Sequence, residues 1–241
     1  MLETFATLLA GHLIGDFVIQ TKSMAMREER FGILLLHAAL VTGVTLLLLG
    51  QLHIAVLIIV LISHMLIDIA ETHLFPDTWG TFVVDQLAHV GILFGVSLVF
   101  SDAVSYGAWT TWLSTDAQPH YLIALVGISG FLICVPVGGV LVEKLIMPLY
   151  GELDQGVGGL PGGGQYIGWL ERSIVFLLMF INFPNGIGFL IAAKSILRFG
   201  EVRDPSHRKT AEYIIIGTFL SFGWALLVSV LTQQAIAHWQ A

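Results

Sequence analysis

Long apolar stretches alternate with short polar segments along the whole chain, and each is about as long as a membrane crossing. A membrane-spanning helix needs about 20 mostly apolar residues. Stretches of this kind cover residues 2–20, 33–50, 53–75, 81–100, 121–147, 169–199 and 211–233. Long apolar runs of this kind predict an all-α, polytopic integral membrane protein.

The stretch at 169–199 is too long for one crossing and contains a turn signal. Asn, Pro and Gly follow one another between Asn182 and Gly186, and these residues favour turns over helix interiors. We therefore expect two short helices, or a re-entrant pair, that meet at this turn. The whole chain then has about seven or eight transmembrane or re-entrant helices.

The composition excludes several classes of protein. Of the 241 residues, 56% are hydrophobic and only 11% are charged, whereas a soluble domain is about 25% charged. This excludes a soluble enzyme and a disordered chain. Ten Lys+Arg against seventeen Asp+Glu provide no positive field for nucleic acid, and the single cysteine, Cys134, excludes a disulfide framework.

The basic residues predict the orientation. Lys22, Arg27 and Arg30 lie in the first loop, whereas the segment at 101–120 contains no Lys or Arg. Because cytoplasmic loops are enriched in Lys and Arg, the first loop is expected inside and the 101–120 loop outside. The basic segment at 194–210 is also inside if 169–199 crosses twice or re-enters, which favours the broken pair. The start of the chain lacks a basic signal-peptide region, so we expect a retained first helix.

Three parts of the chain differ in their chemistry. Residues 1–100 are predicted to form a four-helix membrane bundle that carries a His/Asp cluster, and residues 101–120 an external loop. Residues 121–241 are predicted to form a second bundle, with a Gly-rich cytoplasmic loop at 151–168 and the broken helix pair at 169–199.

Polar residues recur at helical spacing inside the first four spans. Three spans each carry a His and an Asp four residues apart, so the two share a helix face. At 1.5 Å per residue, all these residues and one His of the second span lie roughly 6–15 Å from the inner membrane boundary. The expected cluster has seven members: His12, Asp16, His37, His64, Asp68, Asp85 and His89.

A metal ion is the favoured explanation for this cluster. Unpaired carboxylates inside a membrane are costly, and the cost falls if they face inward and share a cation. His and carboxylate ligands suit zinc best, with manganese or iron as alternatives. Seven candidates are more than one ion needs, so the pattern also allows a two-metal site. Gln20, Glu71 and Gln86 are expected outer partners, and the competing interpretation is a set of interhelical hydrogen bonds.

These residues lead to a functional hypothesis with a runner-up. The first is an intramembrane metal-dependent hydrolase that acts on a lipid-like substrate near the cytoplasmic leaflet, with Asp16, Asp68 and Asp85 in catalytic roles. The second is a proton- or metal-ion-coupled transporter or channel that uses the same residues as a relay. A structural or assembly subunit is the third. Membrane lipids are the expected partners, and a homo-oligomer stays open.

The Gly-rich loop and the basic residues of the second half carry weaker signals. The loop lacks Gly-Lys-Ser/Thr and follows no strand, so it is neither a P-loop nor a dinucleotide fingerprint, and a flexible loop is favoured. Arg172, Lys194 and Arg198 are candidates for holding an anionic lipid headgroup. Simple anchoring of the helix ends is the favoured alternative.

The chain resembles an uncharacterised bacterial family of multi-pass membrane proteins, classed as a domain of unknown function. The resemblance lies in Gly11-His12-Leu13-Ile14-Gly15-Asp16-Phe17 with Gln20, His37, His64 with Asp68, and Asp85-Gln86 with His89. It continues through Gly168-Trp169-Leu170-Glu171-Arg172, Gly188-Phe189, Ala192-Ala193-Lys194-Ser195 with Arg198, and Ala211-Glu212-Tyr213 with Gly217-Thr218. It implies a bacterial inner-membrane protein and no activity. The His/Asp pattern also looks distantly like membrane-embedded metal-dependent hydrolases.

Overall fold

The structure, a computed structural model, describes residues 1–27, 29–114, 117–150, 162–197 and 208–240. Arg198 and residues 151–161 of the expected Gly-rich loop lie outside the described residues. Within those ranges the chain is helical and contains no strand, which confirms the all-α class. The helices are α1 Leu2–Ile14, α2 Lys22–Ala25, α3 Phe31–Leu49, α4 Ile54–Leu74, α5 Trp79–Val99, α6 Ala108–Trp112, α7 Gln118–Leu132, α8 Gly138–Tyr150, α9 Gly163–Phe180, α10 Asn185–Leu197 and α11 Arg208–Gln240.

Six helical stretches of the described chain are long and apolar enough to cross a membrane, and they correspond to six of the seven predicted stretches, all except 169–199. Two of them include π-helical turns: Gly15–Ile19 extends α1, and Ile133–Val137 joins α7 to α8. The predicted interruption is also confirmed, because α9 ends at Phe180 and α10 begins at Asn185. Asn182 has a φ of 56° at this turn, a left-handed conformation that Asn tolerates. The chain is therefore an all-α polytopic membrane protein.

The chain forms two compact units, one of residues 1–132 with 235–241 and the other of residues 133–234. In the first unit, α1 packs against α3 and α5, α3 against α4, and α4 against α5, while α7 packs against α1. The helices α1, α3, α4 and α5 alternate in direction and form a closed bundle. The connections at 20–30 and 75–78 lie at one end, here called the basic end because Lys22, Arg27 and Arg30 are there. The expected domain division at 101–120 stays a prediction.

The opposite end of the first unit, here called the capped end, is covered by the segment around α6. The Trp109 indole N–H donates to the Leu47 carbonyl at 2.9 Å, and the Tyr121 hydroxyl donates to the Leu48 carbonyl at 2.7 Å. These carbonyls belong to the last turn of α3, where backbone carbonyls have no N–H partner within the helix. Gly50 ends the helix with a φ of 66°, as expected for a left-handed C-terminal glycine.

Two glycines allow α1 and α3 to pack very closely. A Cβ atom at Gly15 would lie 2.5 Å from Val41 Cγ2 and 3.0 Å from Val41 Cα, and one at Gly11 would lie 2.7 Å from Thr45 Oγ1. This four-residue spacing of small residues lets membrane helices approach backbone to backbone. The close contact brings the end of α1 and its π-helical turn against the middle of α3, where His37 lies.

The second unit has its own core, which includes Cys134, Val175 and Phe222. Its π-helical turn at Ile133–Val137 contains Pro136, which has no N–H to donate. Two side chains also bond carbonyls of this turn: Trp224 Nε1 donates to Ile133 O at 2.9 Å, and Arg172 Nε donates to Val135 O at 3.1 Å.

Candidate metal centre

All seven polar residues predicted from the first four spans come together in the first unit. One His–Asp pair lies at the end of α1 and in its π-helical turn, one on α4 and one on α5, and α3 contributes a single His. The four histidines are buried, with 1–4% of their surface exposed. A π-helical turn is common at functional sites, and here it carries Asp16.

Three donor atoms from three helical segments form a nearly equilateral triangle. His37 Nε2 and His64 Nε2 are 3.1 Å apart, and Asp16 Oδ1 lies 3.5 Å and 3.4 Å from these two nitrogens. Donors bound to one tetrahedral zinc ion at about 2.1 Å lie roughly 3.4 Å from each other. The triangle therefore has the dimensions of one face of a tetrahedral metal site.

Asp68 supplies a fourth donor to this group. Its Oδ2 lies 3.5 Å from His64 Nε2 and 3.8 Å from His37 Nε2. We call Asp16, His37, His64 and Asp68 the four-donor set. The other carboxylate oxygen of Asp68, Oδ1, lies 3.4 Å from His89 Nε2. One carboxylate thus faces two groups of donors, as a carboxylate between two metal ions does.

The second group of donors surrounds His89. Its Nδ1–H donates to the Asp85 backbone carbonyl at 3.1 Å and lies 3.5 Å from Asp85 Oδ1, so Nε2 is the ring nitrogen that faces an ion. Gln86 Nε2 donates to Asp85 Oδ2 at 3.0 Å. Asp68, Asp85 and His89 can each offer a donor within 4.8 Å of the others, and so can His12, His64 and His89. The His12 and His89 rings stack with centroids 4.8 Å apart. The predicted role of Gln86 beside a donor agrees with its hydrogen bond to Asp85.

Direct hydrogen bonding does not satisfy this cluster. Among the described residues, buried side-chain atoms without a hydrogen-bond partner in the protein include both ring nitrogens of His12, Asp16 Oδ1, Asp68 Oδ2 and His89 Nε2. The seven His–Asp separations are 3.4–3.8 Å, beyond the 2.7–3.2 Å of N–H···O bonds. Leaving such atoms buried and unbonded costs about 1–3 kcal/mol each. These donors could hold a cation between them.

A layer of apolar side chains separates the cluster from the capped end. Each histidine of the cluster has a buried apolar residue four positions away on its own helix, always toward that end. These residues are Leu8, Val41, Val60 and Leu93, and they are 0%, 0%, 2% and 5% exposed. All four helices therefore contribute a buried apolar residue to this layer. The buried polar residues Thr4, Thr45 and Ser97 lie one turn further toward the capped end.

The basic residues proposed for a lipid headgroup lie in the second unit. Arg172 is buried, and besides its bond to Val135 O it donates to Ser221 Oγ at 3.0 Å. Lys194 Nζ donates to Glu171 Oε2 at 2.7 Å. Both cations therefore have partners within the protein. The headgroup role stays a prediction.

Two features of the site were missed in the sequence. The first is the close packing of α1 on α3 at Gly11 and Gly15. Its signal in the sequence is the spacing of two small residues four positions apart. The other feature is an open pocket of about 450 Å³ between α4 and α5, to which Asp85 contributes. Its signal is a set of small residues, Ala70, Gly80 and Ala88, among large apolar neighbours.

Comparison with known proteins identifies a family but no activity. Residues 4–133 match the family described as Protein of unknown function (DUF3307). The match covers more than half of the chain, so the chain belongs to this family. It includes all seven residues of the cluster, whereas the resembling segments between 168 and 218 lie outside it. No curated protein and no solved structure matches the chain.

Proposed function

We propose that this member of a family of unknown function is an intramembrane metal-dependent hydrolase. It acts on a lipid-like or membrane-embedded substrate near the cytoplasmic leaflet of the bacterial inner membrane. The observation that carries the proposal is the triangle of Asp16, His37 and His64 donors, whose separations of 3.1–3.5 Å match those around a metal ion. Asp68 Oδ2 lies 3.5 Å from His64 Nε2 and 3.8 Å from His37 Nε2.

The donor types favour zinc. Imidazole nitrogens and carboxylate oxygens suit this ion best, and manganese or iron also accept such ligands. Asp16, His37 and His64, together with Asp68, would hold the first ion. Asp68 Oδ1, His89 and Asp85 would offer donors for a second, and Asp68 would then contribute to both.

The side chains around the ion have separate tasks in hydrolysis. A bound divalent metal supplies Lewis-acid activation of a water molecule and of an ester or phosphoryl oxygen. In a site with one ion, Asp85 accepts a proton from the attacking water and passes it to the leaving oxygen as the ester bond breaks, because its side chain is 12% exposed and contacts both the cluster and the open pocket. Gln86 holds the Asp85 carboxylate in place through the bond to Oδ2.

The apolar layer favours hydrolysis over transport. A relay or channel needs a polar path that continues toward both membrane faces. Leu8, Val41, Val60 and Leu93 close the capped-end side of the cluster on all four helices. A site that opens to one side suits a reaction with a bound substrate. A purified protein that contains no metal would instead favour the transport hypothesis.

Elemental analysis of the purified protein tests the proposal. Without chelators in the purification, we expect about one or two transition-metal ions per chain. Asp68→Asn and His64→Ala should lower the metal content to background while the helical content stays unchanged. His73→Ala is the matched control, because His73 lies on α4 outside the cluster and bonds the Ile69 carbonyl of its own helix.

A wild-type protein without metal above background would overturn the proposal. The relay hypothesis would then be tested by ion flux into proteoliposomes, with Asp68→Asn expected to abolish the flux. If metal content were the same in Asp68→Asn as in His73→Ala, the assignment of the ligands would be wrong.

A further inference from the structure

The pocket between α4 and α5 lies directly beside the cluster. Its volume of about 450 Å³ falls within the 300–1,000 Å³ of typical small-molecule sites. Along α5 it extends from Gly80 to Ile92, which at 1.5 Å per residue is about 18 Å. It is therefore an elongated groove parallel to two membrane-spanning helices.

The walls of this groove face the lipid. Leu66, Val84 and Ile92 line it and are 57%, 65% and 36% exposed. All three belong to candidate membrane spans, where exposed apolar side chains contact acyl chains. The groove therefore exchanges its contents with the bilayer.

Polar residues are concentrated toward the basic end of the groove. Glu71, Thr81 and Asp85 line this part. Leu66 and Ile92 line the part nearer the capped end, together with the polar residue Ser63. Asp85 belongs to both the groove and the cluster, since its Oδ1 lies 3.5 Å from His89 Nδ1. A molecule with an apolar chain along the groove therefore places its polar end at the proposed metal site.

Small side chains make room for the groove. Ala70 on α4, and Gly80 and Ala88 on α5, line it at positions where large apolar residues are common in the rest of both helices. Ala88 is one turn from the polar end and next to His89 in the sequence. A larger residue there would fill the groove without changing a donor atom.

We propose that this groove binds the acyl chain of a membrane lipid ester whose hydroxyl-bearing headgroup lies at Glu71, Thr81 and Asp85. The oxygens of these three side chains accept hydrogen bonds, which suits headgroup hydroxyls as donors. The inference rests on the proposed function, because it names the substrate class of the same site. The ester bond lies beside Asp85, and the lipid enters sideways from the bilayer.

Photo-crosslinking with a defined probe tests this assignment. The probe is a monoacylglycerol with a diazirine in its acyl chain, added to the purified protein in vesicles of phosphatidylethanolamine and phosphatidylglycerol. Peptide mapping should find the label concentrated on α4 and α5 at the groove. Ala88→Leu should lower this labelling about tenfold, because the added side chain clashes with the bound chain.

The matched control is Gly91→Leu. Gly91 is on the same helix, is not part of the groove, and a Cβ there meets no atom within 4 Å. This variant should be labelled like wild type, and all three proteins should hold the same amount of metal. Ala70→Leu, which fills the groove from α4, serves in place of Ala88→Leu if that variant does not fold.

Failure of this inference can be told apart from failure of the proposed function. Equal labelling of Ala88→Leu and Gly91→Leu, or wild-type label spread evenly over all spans, overturns the lipid groove even if metal is bound. A metal-free wild type with label concentrated in the groove overturns the hydrolase and keeps the lipid site.

Discussion

The Nε2 atoms of His37 and His64 lie 3.1 Å apart although the two residues belong to different helices. At this distance two imidazoles either share one proton or bind one ion. The two alternatives make different predictions, because an ion depends on both rings together, whereas a shared hydrogen bond contributes only to packing.

We expect His37→Ala, His64→Ala and the double variant to lose metal to nearly the same extent. When one ion needs both nitrogens, the first substitution already removes the site, so the effects are not additive. Metal titration of the purified apo-proteins measures this. The hydrogen-bond interpretation predicts instead a stability loss of about 0.6 kcal/mol in each variant, with no effect on metal.

The two oxygens of Asp68 predict a difference between two carboxylate substitutions. Asp68→Asn should affect both donor groups, because its Oδ2 faces His37 and His64 and its Oδ1 faces His89. Asp85→Asn should remove at most one ion and leave the four-donor set loaded. Elemental analysis of both variants checks this, with Asp102→Asn at the exposed capped end as control.

A larger metal loss in Asp85→Asn than in Asp68→Asn would contradict the bridging assignment. It would place the first ion at His89 and Asp85. Equal loss of one ion in both variants would show that the cluster binds a single ion to which both carboxylates contribute.

Gly15 is expected to be essential for the site although it offers no donor atom. In Gly15→Ala the new Cβ would lie 3.0 Å from Val41 Cα, so α1 has to move away from α3. We expect a loss of about 1–3 kcal/mol in unfolding free energy and weaker metal binding, since Asp16 moves with α1. Gly43→Ala on α3 is the control, because its Cβ meets no atom within 4 Å. Identical melting temperatures and metal affinities for the two variants would contradict the close-packing argument.

The sequence was sufficient to predict the helical class and which polar residues meet. Helical spacing fixes the face on which His64 and Asp68 lie, and the basic first loop fixes their expected depth, so both follow from local information. The hydrophobic pattern likewise predicted the break before Asn185. These features depend on one helix at a time.

The features that the sequence did not predict depend on how two helices pack. The orientation of the Asp68 carboxylate between two donor groups requires the positions of α3, α4 and α5 together. The groove at Ala88 forms where small side chains of α4 and α5 line the same space, and hydropathy does not report such a gap. The division between the two compact units falls at residue 132, within an uninterrupted apolar stretch that carries no boundary signal.

The last prediction concerns orientation in the membrane. Ser23 lies at the basic end of the first unit and Ser114 at the capped end, and both are exposed. Single cysteines at these positions, in a Cys134→Ser background, should react with an impermeant thiol reagent from opposite sides. Because Lys and Arg favour the cytoplasmic side, we expect the cysteine at position 23 to be labelled in inverted vesicles and that at 114 in intact spheroplasts. Labelling of both from one side would contradict the spanning bundle. Exchange of the two sides would instead reverse the orientation and put the cluster near the external leaflet, where the substrate would then have to be sought.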